Sequence, residues 1–516
     1  MLYRSYKGEY GFRHCVVAST WAFEAQGPGS IPGGGASRAR KEIELIQSAI
    51  LLAAGEGTRM KSQNPKVLHS IAGRTLIGHV INSLNSIKPE ELLVVVGSGR
   101  ELVEAELKKI APDAKAVFQS ERLGTGHAAQ LALAESKAKG SVLVLSGDIP
   151  LISGQTLSEF VSAHKDGKFT ASVLTAEIDD PTGYGRVIRG DDDLLLRIIE
   201  ERDANEEEKF IFEINSGIYL FEIDALKSAI SKLKNNNSQK ELYLTDVIEI
   251  IRNDGGKVAA ILNENFIETL GVNDRIQLAE AAAILRDRIN ERHMKNGVTI
   301  LDPATTWIDD TVSIAEDVTI LPGCSITGES AIASNAVIGP RTTLHNCAVN
   351  KGAKIIESNC TGSEIGADAN VGPFTFLRSG TILGNESKAG AFVEIKNSQV
   401  GTGSKVPHLS YVGDASIGNE TNIGAATIFV NYDGENKHRT EVGNYVKIGS
   451  DTMLVAPVEI GDGAYTAAGS VITENVPAGA MGVGRAKQRN VLGWVLRKRP
   501  NSKSAEAAMK KENGGK

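Results

Sequence analysis

Two periodicities divide the chain. From Ile46 the apolar positions alternate between strand-like and helix-like runs. The segment IQSAILLAA is continuously apolar, as expected of a strand covered on both faces. LLVVVGS (92–98), AVFQS (116–120) and SVLVLSGD (141–148) predict further strands, with helical spacing between them in LIGHVINSL (76–84) and GHAAQLALAESKA. This alternation predicts an open parallel α/β sheet that binds ligands at the carboxyl ends of its strands. At 275–297 the register changes, and Leu278, Ala282, Leu285 and Ile289 fall on one face of a connecting helix.

Beyond residue 298 short apolar–Gly pairs recur at multiples of about six residues. Ile417-Gly418 is followed by Ile423-Gly424, Val442-Gly443 by Ile448-Gly449, and Leu454 and Ile460-Gly461 continue the step. Ile338-Gly339, Ile365-Gly366 and Val400-Gly401 mark earlier coils. Hexapeptide repeats build a left-handed parallel β-helix, in which one apolar residue per repeat points inward and a small residue makes the corner. The interruptions HLSYVGD and NYDGENKHR are expected to leave the coil. The predicted organisation is a flexible extension (1–44), an α/β domain (45–274), a linker helix (275–297), a β-helix domain (298–495) and a basic, solvated tail (496–516).

Composition sharpens this picture. The 54 glycines and 5% aromatic content suit repeated tight turns better than a helix bundle. A net charge of −7 argues against a general nucleic-acid binder, although a few local cations suffice for phosphate ligands. Cys15, Cys324, Cys347 and Cys360 form no CxxC pair, so the expectation is small buried thiols in a reducing, cytoplasmic compartment. No apolar run approaches the ~20 residues of a membrane span. Residues 26–40 are rich in Gly, Pro and Ser and lack a secretory core. Arg and Ser there suit a transit peptide, but Glu9 and Glu24 do not, and a mis-called start or an added leader is the preferred reading.

The first chemical constellation follows the first strand directly: Leu52-Ala53-Ala54-Gly55-Glu56-Gly57-Thr58-Arg59-Met60, then Pro65-Lys66. Gly55 and Gly57 let backbone N–H groups turn toward an anion, and Arg59 and Lys66 supply positive charge for a triphosphate. Met60 replaces the third glycine of a dinucleotide fingerprint, and no Gly-Lys-Ser/Thr of a Walker loop is present. Further segments follow in order: Gln119 with Gly124-Thr125-Gly126, Gly147-Asp148, Gly183-Tyr184-Gly185, Glu200, Asn215-Ser216-Gly217 and Gly271-Val272-Asn273. Asp148, at the end of a strand, is placed to hold a cation. The ordered set resembles the sugar-1-phosphate nucleotidyltransferases. The resemblance implies UTP and a sugar-1-phosphate as substrates, with Asp148 and Asn273 as ligands of Mg²⁺. It puts Leu52, Ala53, Gly55, Gly57, Lys66, Gln119, Gly124 and Thr125 on the nucleotide side, and Asn273 also among the residues that bind UTP or the UDP-sugar. Gly185, Glu200 and Asn215 fall on the sugar side. The nucleophile is already an anionic phosphate, so alignment and charge neutralisation are the task.

The second constellation lies in 378–437. Arg378 and Lys396 suit a sugar phosphate. His408 suits a general base because an imidazole titrates near neutrality. Tyr411, Asn422, Asn431, Tyr432 and Lys437 accompany it. Together the two sets resemble the family of bifunctional N-acetylglucosamine-1-phosphate uridyltransferases/glucosamine-1-phosphate acetyltransferases, over about residues 46–493. The resemblance implies a homotrimer that acetylates glucosamine-1-phosphate from acetyl-CoA and then makes UDP-N-acetylglucosamine for peptidoglycan and lipopolysaccharide. It assigns Arg378, Lys396, Tyr411 and Asn422 to the amino-sugar. Ala425, Asn431, Tyr432, Lys437, Ser450, Ala468 and Arg485 go to acetyl-CoA, with an oxyanion donor near Ala425. Val406-Pro407, Ala426 and Ser379 depart from the family pattern and bear on acetyl-CoA geometry. The alternatives are a monofunctional nucleotidyltransferase with a structural β-helix, and a regulatory subunit. The latter predicts loss of Arg59, Lys66 or Asp148, and all three are present.

Overall fold

The structure, a computed structural model, describes residues 46–513; Cys15 and the extension assigned to 1–44 lie outside the described residues. The N-terminal sheet runs in the order Val258–Leu262, Ala171–Glu177, Glu213–Glu222, Ser141–Ser146, Ser48–Ala53, Glu91–Val96, Lys115–Phe118. Its central strand Ser48–Ala53 is parallel to both neighbours. Two apolar cores cover the two faces of the sheet, which is why its strands read as unbroken Val/Leu/Ile runs.

The expectation of an all-parallel sheet is corrected. Glu213–Glu222 is antiparallel to both Ser141–Ser146 and Ala171–Glu177, and a hairpin of Arg186–Arg189 with Leu195–Ile199 joins it. The chain leaves Ala171–Glu177 through this hairpin instead of a crossover helix, so it returns in the opposite sense. Strand ends were also overrun. The strand predicted to 148 stops at Ser146, leaving Gly147 and Asp148 in the turn at the sheet edge.

The helix Arg275–Lys295 starts at Asp274, whose carboxylate accepts from the N–H groups of Ile276 and Gln277. Ala281, Leu285 and Ile289 are buried, and Leu278 and Ala282 pack against the same core, as the spacing predicts. Fully buried Asn290 pins the helix to the first coil, its Nδ2 donating to Pro303 O (3.0 Å) and Thr306 O (2.9 Å). Beside it, Asp310 accepts from Arg74 Nε and from Arg292 Nη1, both at 2.8 Å, tying the turn after Ser70–Ile71 to the prism.

The C-terminal part is a left-handed parallel β-helix of three sheets, with seven, ten and nine strands. Most strands turn one apolar residue inward, and a few, such as Ala415–Ile417 and Val458–Ile460, turn two. In one sheet Ile320, Ile338, Ile355, Val371, Ala389 and Val406 stack in register. Cys324, Cys347 and Cys360 are free thiols within this core, as expected of small buried side chains.

Two readings of the coil are corrected. HLSYVGD does not leave it: Lys405–His408 and Tyr411–Gly413 are successive strands of adjoining sheets. The corner residue between them, Leu409, takes a left-handed φ of 50°, so a bulky residue holds a corner expected of a small one. NYDGENKHR does leave it, with Tyr432 bridged antiparallel to Lys437. The tail predicted to be solvated is mostly exposed, and Trp494–Lys498 and Lys503–Asn513 within and beside it are helical, with Ala505 buried. Among the described residues no helix is long and apolar enough to cross a membrane.

Phe429 is the one aromatic side chain in the prism core and is fully buried. Phe429→Ala is expected to cost about 3–5 kcal/mol, read as a lowered urea midpoint at unchanged slope.

Candidate functional site

The sheet's carboxyl edge opens into a cavity of about 440 Å³. Leu52, Gly55, Gln119, Gly124, Thr125, Glu200 and Asn215 of the sequence set line it. Ala53 does not; it is buried in the strand, and Ala54 faces the cavity instead. Gly57 sits at φ 61°, and a Cβ there would lie 2.6 Å from Lys66 Cβ, so this glycine lets the phosphate loop close over the lysine. Arg59 is exposed on the single turn Thr58–Met60 that follows. Gly124 is at φ 103°, and its missing Cβ would fall 2.5 Å from Leu242 O. That closeness seats the loop against 242–244, where Thr125 Oγ1 accepts from Leu244 N (3.0 Å).

Lys66 Nζ pairs with Asp148 Oδ2 and donates to Asn273 Oδ1 (3.0 Å). Ser146 Oγ donates to the other carboxylate oxygen, Asp148 Oδ1, at 2.6 Å, and the Asn273 backbone N donates to Gln277 Oε1 at 2.8 Å, so both residues are anchored. Two side-chain oxygens from distant parts of the chain thus converge on one cationic group. This hard-oxygen pair fits Mg²⁺, which takes few protein ligands and completes its shell with water and phosphate. Among the described residues no cluster of three or more His, Cys, Asp or Glu could hold a metal alone.

On the other side, Gly185 O accepts from Asn215 N (2.9 Å), and Asn215 Nδ2 donates to Tyr219 Oη (2.7 Å). Burial raises the Glu200 carboxyl above the usual range, against a 3.2 Å hydrogen bond from Thr245 Oγ1. Burial, then the charges of Glu200, Glu249 and Asp203, push Asp246 up to about 6. Burial also raises the Tyr184 phenol, with the Asp148 charge adding to it.

The β-helix carries two further groupings. His408, Ala425 and Ser450 occupy one corner column: Ala426 N donates to His408 O, Asp451 N to Ala425 O, and Gly469 N to Ser450 O. Ala468 continues the column, and Arg485 Cδ lies 3.8 Å from the Cβ position of Gly469. Asn422 lies on the same sheet as His408, in register with Lys405 and Lys447, and not with the other predicted amino-sugar residues. Those residues form a second group on the adjoining sheet. Lys396 Nζ is 4.0 Å from Asp414 Oδ2, and Asn431 Nδ2 donates to Asp414 Oδ2 (2.6 Å) and to Tyr411 Oη (3.4 Å). The neighbouring Lys396 ammonium holds Lys437 below the ordinary lysine range. Burial pushes Asp414 up, but hydrogen bonds from Asn397 and Asn431 outweigh it and keep the carboxyl low. Arg378 Nη1 donates to Glu394 Oε1 (2.9 Å), one coil away, and Tyr432 is exposed on the loop. Of the departures, Ala426 sits at the left-handed φ of 60°.

Comparison with known proteins agrees with both parts. The MobA-like NTP transferase domain matches residues 49–209, and the bacterial transferase hexapeptide (six repeats) matches 439–474. The bifunctional protein GlmU of Corynebacterium diphtheriae is 48% identical over 466 residues, covering 89% of this chain and 96% of its own. That of Streptomyces avermitilis is 49% identical, with 90% and 98% covered, and that of Mycolicibacterium gilvum 49%, with 89% and 94%. The chain belongs to the GlmU family. It is a bifunctional enzyme, a uridylyltransferase in its N-terminal part and a hexapeptide acetyltransferase in its C-terminal part.

Sequence reasoning passed over several cavity residues: Arg122, Ser146, Tyr219, Glu241 and Thr245. Ser146 adjoins the quoted Gly147-Asp148, and Tyr219 lies four residues beyond Asn215 on the same strand, so both were within reach of the motifs. Glu241 and Thr245 come from a segment without a motif.

The raised Asp246 binds its proton more tightly in the folded chain than in the unfolded one. Stability from this group is therefore full below about pH 4 and is lost as pH rises through about 6. The advantage of Asp246→Asn over the natural chain, read from urea midpoints, should grow from pH 4 to 7.

Proposed function

We propose that the chain makes UDP-N-acetylglucosamine in two steps at two sites. In the β-helix, acetyl passes from acetyl-CoA to the amine of glucosamine-1-phosphate, releasing the thiol. In the α/β domain, the phosphate of N-acetylglucosamine-1-phosphate attacks the α-phosphorus of UTP, and pyrophosphate leaves. What carries the reading is the occurrence on one chain of the Lys66–Asp148–Asn273 convergence beside a nucleotide-sized cavity and of the His408 column.

In the α/β domain, Leu52, Ala54, Gly55 and Gly57 offer backbone to the nucleotide, and Gln119, Gly124 and Thr125 hold the base side. Gly185, Glu200 and Asn215 orient the sugar. Asp148 and Asn273 would hold Mg²⁺, which when bound supplies charge neutralisation at the triphosphate. Arg59 and Lys66 stabilise the charge that builds on the α-phosphate and the departing pyrophosphate. Lys66, paired to Asp148, reaches both the loop and the carboxylate edge.

In the β-helix, His408 takes the proton from the substrate ammonium so that a free amine attacks the thioester. A backbone N–H near Ala425 meets the oxyanion. Ser450 and Ala468 continue the same column as a track for coenzyme A, and Arg485 at its end suits the phosphates. Arg378, Lys396 and Tyr411, with Asn431, Tyr432 and Lys437, form a cationic, hydrogen-bonding patch for the phosphorylated amino-sugar and the acetyl donor. This patch sits on a different sheet from His408 and Asn422, which favours a homotrimer in which neighbouring subunits complete each acetyl site. The reading places the protein in the cytoplasm.

Asp148→Asn should lower UTP-dependent pyrophosphate release at least a hundredfold and leave thiol release from acetyl-CoA intact. His408→Ala should do the reverse. Joint loss in either variant, with the fold preserved by circular dichroism, would count against two independent sites.

A further inference from the structure

The ion pair between Arg122 and Glu56 has no role in the assignments above. Arg122 lines the nucleotide cavity from the loop between Gln119 and Gly124. Glu56 stands between Gly55 and Gly57 in the phosphate loop. Arg122 Nη1 contacts Glu56 Oε1, so the pair bridges the two loops that flank the cavity. The side chains are 47% and 48% exposed, and an ion pair in water at that exposure is weak and readily exchanged.

A carboxylate in a loop that receives a triphosphate is electrostatically unfavourable unless a cation covers it. Arg122 supplies that cation. Its planar guanidinium presents a fork of donors that matches phosphate oxygens as well as it matches a carboxylate. A triphosphate carries more charge than a single carboxylate and so competes successfully for the same group.

We propose that Arg122 is a nucleotide-phosphate contact of this chain and that Glu56 is its displaceable counter-ion. The inference rests on the nucleotide reading of the cavity. Glu56 holds Arg122 across the cavity and gives it up to the phosphates, so the pair sets nucleotide affinity without entering the chemistry.

The test is steady-state kinetics of pyrophosphate release on the full chain, with UTP varied at saturating N-acetylglucosamine-1-phosphate. Arg122→Gln should raise KM for UTP about tenfold, more than it lowers kcat, and Arg122→Lys should restore part of the loss. Glu56→Gln should lower KM for UTP two- to fivefold. In the Glu56→Gln background, Arg122→Gln should cost more than in the natural chain, because there the arginine is no longer shared. An unchanged KM in Arg122→Gln would overturn the proposal. So would a rise in Glu56→Gln equal to that in Arg122→Gln, which would make the pair a structural strap. If the natural chain released no pyrophosphate from UTP, the nucleotide reading itself would fall, and the proposal with it.

Discussion

Each short strand of the prism must turn one or two apolar side chains into a narrow shared core. Backbone hydrogen bonds between coils then fix the register, and the corners have to stack. This constraint accounts for the long columns of Ile, Val and Leu with so little aromatic content. It also puts His408 directly above Ala425, and Ala425 above Ser450, through backbone hydrogen bonds between successive corners. A row of chemically useful positions is a by-product of satisfying the ladder. The linker helix adds its buried face to the same core; Asn290 pins that helix, and Asp310 the α/β domain through Arg74, to the first coils.

The α/β site follows a different logic. Its backbone approaches closely where glycine permits, at Gly57 against Lys66 and at Gly124 against Leu242. The approach at Gly57 seats Lys66, whose ammonium meets a carboxylate and an amide oxygen at one point from positions 148 and 273. Such a point neutralises phosphate charge without a general base, which suits a nucleophile that is already an anion. The β-helix offers a base because its proposed nucleophile, an amine, arrives protonated.

Much of this was legible in the sequence because it is periodic or local. The six-residue step announced the prism, and buried strands appeared as apolar runs. What escaped was set by contacts distant in sequence. The antiparallel strand Glu213–Glu222 has the same composition whichever way it runs. HLSYVGD breaks the small-residue rule but not the coil, since Leu409 accepts a left-handed corner. Asn422 looked like a neighbour of Tyr411 and instead follows the register of Lys405. Arg122 has no motif, and its position over the cavity emerges only when the phosphate loop and the Gln119–Gly124 loop are folded together.

The central claim is that two sites on one chain act in sequence on one sugar phosphate. It is tested most directly by supplying glucosamine-1-phosphate, UTP, Mg²⁺ and acetyl-CoA labelled with carbon-13 in the acetyl group, and following the nucleotide sugar by mass spectrometry. The expected result is labelled UDP-N-acetylglucosamine that accumulates after a lag, with formation restored when His408→Ala and Asp148→Asn proteins are mixed. A nucleotide sugar lacking the label, or labelled sugar phosphate that never becomes a nucleotide sugar, would contradict the account.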